Sequence, residues 1–171
     1  MNHEHHSDEL HLQRMAEDGD MAAQIFLGWA YSKHGNMMHD PERAEKFLRM
    51  AVTSGQIDGR RALARFLFDY GRAEAVGAID MLVAERDYYG YFLKGQMLAK
   101  LSSSSEIDKQ TAILALREAA SQGHIISGLD ALKLEYKRPI LHPSSWSELW
   151  RLSKQFFQIW RRDSKDWRIS R

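Results

Sequence analysis

Ala44, Leu48, Ala51 and Gly55 recur 68 residues further along the chain as Ala112, Leu116, Ala119 and Gly123, and Ala78 and Leu82 stand halfway, at a step of 34. No other feature constrains the fold so tightly. A unit of this length is one supersecondary element that cannot bury both of its faces alone, so successive units must stack to make a continuous core. Ahead of each of these stretches lies another apolar one, in which Leu27 corresponds to Leu63 and Leu93. The apolar residues fall at helical spacing (Ala44, Phe47, Leu48, Ala51; Ala112, Leu116, Ala119), and no run alternates with period two long enough to make a strand. The expected fold class is therefore all-α, with helices near 8–18, 21–33, 41–53, 58–70, 74–86, 89–100, 106–121 and 125–137.

Local signals mark the ends of these helices. Asp40-Pro41 is a strong start, because Asp caps free amides and Pro at the first helical position loses no hydrogen bond. Ser105 with Asp108 has the spacing of a capping box. Gly55 and Gly123 stand where a helix ends in a left-handed residue. Ala and Gly at one- and two-turn spacing remove bulk where paired helices cross, so antiparallel neighbours can approach closely.

The segment "AAQIFLGWAYSKHGNMMHDPERAEKFLRMAVTSG", residues 22–55, resembles a Sel1-like repeat, a relative of the tetratricopeptide repeat. Ala23, Gln24, Leu27, Gly28, Tyr31, Gly35, Asp40, Ala44, Leu48, Ala51 and Gly55 match that pattern. A second unit keeps Leu63, Ala64, Ala78 and Leu82, with Glu85 where a small residue is expected. A third keeps Leu93 and the whole of "TAILALREAASQGH", with Lys94 in place of the expected glycine. The resemblance implies a right-handed, tetratricopeptide-like solenoid of antiparallel helix pairs over residues 8–137. It also implies a role as a protein-binding adaptor or scaffold, such as a bacterial regulatory or complex-assembly factor, with no enzymatic activity. In this family the first helices of the pairs line the concave side, and Ala23, Leu27 and Tyr31 point to the partner helix. Trp29 and Lys33, their counterparts Arg65 and Asp69, Arg61, and Tyr91 in the third unit then become the candidate partner-binding residues.

Other chemistry has little support in the sequence. Cysteine is absent, which removes disulfides, thiolate metal sites and a cysteine nucleophile. No glycine-rich phosphate loop, nucleophile elbow or helical HExxH occurs. His3, His5, His6 and His11 lie near the N-terminus, read as a flexible His-rich segment over residues 1–7, and His34 and His39 share a loop with Asp40. A metal site needs three or four ligands in fixed geometry, so no metal or other cofactor is expected.

The C-terminal extension, residues 138–171, differs from what precedes it. Residues 1–136 hold 15 Lys and Arg against 20 Asp and Glu, whereas residues 137–171 hold 9 against 3. Trp146, Leu149, Trp150, Phe156, Phe157 and Trp160 follow the spacing of one amphipathic helix, and Pro139 and Pro143 separate it from the repeats. Three readings of this stripe follow: a cap on the last repeat, contact with an anionic membrane surface, or docking into another protein. Nucleic acid is not expected, because the acidic body repels phosphates. The N-terminus, MNHEHHSDELHLQRMAEDGD, has acids and histidines where a secretory signal has a basic start and an apolar run. The expected location is therefore the cytoplasm, with the inner face of a membrane as the alternative that the extension suggests.

Overall fold

A computed structural model of the chain describes residues 2–36, 38–101, 105–163 and 166, and for residues 2–8 the backbone alone. Among these residues every regular element is helical. The helices are α1 (Asn2–Glu17), α2 (Met21–Ser32), α3 (Pro41–Thr53), α4 (Ile57–Asp69), α5 (Ala75–Ala84), α6 (Tyr88–Leu101), α7 (Glu106–Ser121), α8 (Ile125–Tyr136) and α9 (Trp146–Trp160). Two 3₁₀ turns, Pro139–Leu141 and Pro143–Ser145, lead into α9. The repeat helices end within two residues of the expected positions, except that α1 begins at Asn2 instead of near residue 8.

Capping explains many of these boundaries. The Asp20 carboxylate accepts the Ala23 amide at 2.9 Å, and the Asp40 carboxylate accepts the amides of Glu42 and Arg43 ahead of Pro41. The Ser105 hydroxyl accepts the Asp108 amide at 3.3 Å, as a capping residue does at the start of α7. At the other ends, Gly55 and Gly123 adopt left-handed backbone with φ of 74° and 102°. Arg86 makes the same turn after α5 with φ of 57°, where its amide donates to Val83 and the next amide, of Asp87, to Leu82.

The chain divides into two compact units, Met1–Ala78 and Ile79–Arg171, with the boundary inside α5. In the first, α1 packs on α2, α2 on α3 and α3 on α4, and α2 also touches α4. Its core joins Leu27 and Tyr31 of α2, Phe47 and Leu48 of α3, and Phe66 and Leu67 of α4. Gly28 sets the α2–α3 approach: a Cβ there would lie 2.5 Å from the Leu48 side chain. Tyr31 ties in α1, since its hydroxyl donates to Glu9 at 2.7 Å and accepts from Gln13 at 2.8 Å.

In the second unit α6 packs on α7, α7 on α8 and α8 on α9. The sequence reading places Lys94 where a glycine is expected, and the glycine is found one position later. A Cβ on Gly95 would lie 2.5 Å from Leu116, reproducing the Gly28–Leu48 approach. A short insertion of register of this kind is invisible to motif matching, because the packing requires a small residue at the crossing and not at a fixed sequence number.

Candidate partner-binding surface

The six partner-binding candidates fall on three helices. On α2, the buried face is Ala23, Gln24, Leu27, Gly28 and Tyr31. Trp29 lies beside this face, half-buried, and packs with Ile25 against the edge of the first unit's core. Lys33 is exposed at the C-terminal cap of α2. On α4, Ala62, Leu63, Phe66 and Leu67 face inward and leave Arg61, Arg65 and Asp69 on the outer side. The structure brings Arg65 and Asp69 into one ion pair at 2.7 Å, and the Arg65 guanidinium also lies 6.0 Å from the Phe68 ring centre. Arg61 pairs with Asp58 at 3.0 Å. Tyr91 belongs to the second unit, where it is half-buried on α6.

The histidines of the α2–α3 loop pack as rings. His34 and His39 lie 4.5 Å apart between centroids, and Tyr70 covers His34 at 5.5 Å while its hydroxyl donates to the Ser32 carbonyl at 2.6 Å. Asp40, their neighbour in sequence, uses its carboxylate to cap α3. Among the described residues no group of three His, Cys, Asp or Glu side chains is placed to hold a metal ion. The side chains of His3, His5 and His6 lie outside the described residues.

The extension forms α9, and its stripe divides between two faces. Leu149 and Phe156 are half-buried against a cluster made by Ile125, Leu132 and Leu152. Trp146, Trp150, Phe157 and Trp160 are exposed. Leu152 and Ile159, which belong to the buried face, are absent from the set that the sequence nominates; the signal for them was there, since 149, 152, 156 and 159 are themselves at helical spacing. Trp167 lies outside the described residues.

A polar contact accompanies this docking. Arg117 of α7 reaches Glu135 of α8 at 2.5 Å and Glu148 of α9 at 3.7 Å, and Arg151 approaches Glu148 at 3.9 Å. The hydrogen bond to Glu135 holds the Arg117 pKa above its ordinary value. Between the α7–α8 turn and α9 runs an open groove lined by Arg117, Arg151, Arg161, Arg162, Gln155 and Glu148, a net basic feature that sequence spacing did not nominate because it needs three helices to assemble.

No protein-family model and no curated protein matches the chain. No described helix is long and apolar enough to cross a membrane.

Proposed function

We propose that the helix pairs are Sel1-like repeats, wound in the right-handed sense of that family, and that the chain works in the cytoplasm as a non-enzymatic adaptor or scaffold binding another protein. The observation that carries this reading is the outer side of α2 and α4. There Lys33, Arg61, Arg65 and Asp69 stand outside the buried faces of the two helices, and Trp29 lies half-buried at the edge of the same side. Tyr91 on α6 is the third-unit counterpart. The ion pairs on this side are partly exposed, and such i,i+3 and i,i+4 pairs contribute only about 0.3–0.5 kcal/mol to stability. A partner's charges can therefore replace them at small cost, while aromatic and arginine side chains are the types that dominate binding energy at protein interfaces.

Affinity capture with the intact chain, compared with Lys33→Glu and Arg65→Glu, tests the reading. Lys33 is exposed whereas the Arg65 side chain is 22% exposed, so circular dichroism is recorded for both variants to separate loss of the surface from loss of the fold. A partner recovered with the native chain is expected to fall by on the order of tenfold with either variant. Equal recovery with native and variant chains discards this face as the binding surface.

A further inference from the structure

Helix α9 carries two apolar seams, and only one of them is covered by the repeats. The outward seam is aromatic: Trp146 is 58% exposed, Trp150 75%, Phe157 60% and Trp160 52%. From rings of this size the exposed area is on the order of 500 Å², toward the upper end of the largest apolar patch of a soluble monomer (about 300–600 Å²), which is often functional. Trp146 Nε1 donates to the Ile140 carbonyl at 2.8 Å, which brings the exposed Ile140 to one end of the same ridge.

We propose that this seam docks the chain on an anionic membrane surface, with α9 lying in the plane of the interface. The charge pattern selects that occupant. Lys154 follows Trp150 by four residues and stands at the edge of the seam, and Arg161, at the C-terminal cap four residues after Phe157, lies between the seam and the groove that it also lines. The one carboxylate of α9, Glu148, is turned to the opposite side, within ion-pair distance of Arg117 and Arg151. The outward face therefore presents indoles and cations and no acid, the combination that suits an interface of apolar chains beneath phosphate headgroups. Indole is amphipathic and settles at the headgroup level with its N–H still hydrated. The shape agrees as well: the seam is a convex ridge about 22 Å long, which a fluid lipid surface accommodates without needing a preformed groove. From 161 to 171 the sequence has Arg161, Arg162, Lys165, Arg168 and Arg171 against Asp163 and Asp166, so it stays net basic. This proposal goes beyond the α2–α4 reading and does not rest on it.

The test is co-sedimentation of the full chain with pure phosphatidylglycerol vesicles and with pure phosphatidylcholine vesicles, together with tryptophan fluorescence. Expected results are a blue-shifted emission on phosphatidylglycerol and binding there stronger by on the order of tenfold than on phosphatidylcholine. The double variant Trp150→Ser with Phe157→Ser is expected to lose sedimentation while keeping its helical circular dichroism, because the docked seam is untouched. Lys154→Glu with Arg161→Glu, which alters no aromatic, is expected to abolish the preference for the anionic lipid. Failure of the native chain to bind phosphatidylglycerol overturns the proposal, as does binding that survives the double aromatic variant. A native dimer that the aromatic variant dissociates, without any lipid binding, gives the seam to a second copy and overturns it too.

Discussion

Leu152 of α9 seats over Gly128 of α8, where an added Cβ would lie 3.1 Å from both of its terminal methyl carbons. Leu152 is only 2% exposed, while Trp150, two residues earlier, points to solvent. Leu152→Ala is expected to destabilise the chain by about 2–5 kcal/mol, the range for emptying a buried leucine site. Trp150→Ala is expected to stay within about 0.5 kcal/mol of the native chain, as exposed substitutions do. Urea unfolding of the two variants checks the pair, and equal losses would refute the assignment of faces.

The close approach of α2 to α3 makes a second contrast. Gly28→Ala places a methyl against Leu48 and is expected to cost about 1–3 kcal/mol through overpacking. Gly77, on α5, has nothing within 4 Å of an added Cβ, and Gly77→Ala is expected to stabilise by about 0.5–1 kcal/mol through helix propensity. Gly59→Ala should be worse than Gly28→Ala, because its Cβ would meet the Ala51 carbonyl oxygen, and backbone cannot turn aside as a side chain can. Thermal melts of the three variants give the order directly.

Arg86 ends α5 in a left-handed conformation that Gly55 and Gly123 adopt freely at the corresponding turns. Its side chain is exposed, so the strained backbone is the larger consideration. Arg86→Gly is expected to stabilise by about 0.5–1 kcal/mol, measured by denaturant midpoint at unchanged slope.

Alkaline pH should loosen α1 first. Burial and then the hydrogen bond to Glu9 raise the Tyr31 pKa above 10.0. A group whose folded pKa is raised contributes stability that is complete below its unfolded pKa and is lost as pH rises through the folded one. Stability is therefore expected to fall above about pH 10, with Tyr31→Phe showing a shallower fall because no phenolate must be buried. Ultraviolet absorbance of tyrosinate, followed beside circular dichroism, checks whether ionisation of Tyr31 and loss of helix coincide.

The legibility of this chain differed between its two kinds of information. The repeat step linking Ala44 with Ala112 and the Asp40 and Ser105 caps were readable directly, because helix starts and periodicity depend on residues within a few positions of one another. Gly95 was harder. It substitutes for a glycine expected at 94, and only the Leu116 side chain facing it identifies which position the crossing needs. Arg86 carries no signal for a left-handed turn at all, since arginine has no preference for that conformation, and only the structure shows its amide and that of Asp87 closing the turn on Val83 and Leu82.

The sequence by itself determined that residues 146–160 would form a helix with a wide apolar arc, because that follows from spacing alone. Tertiary structure decided how the arc is divided. Gly128, Ile125 and Leu132 form a surface on α8 with room for Leu152, and the Arg117–Glu148 contact lies beside it. The four aromatics are left outside for a geometric reason: a helix can turn only part of its circumference toward one neighbour, and periodicity counts apolar residues without knowing where that neighbour stands.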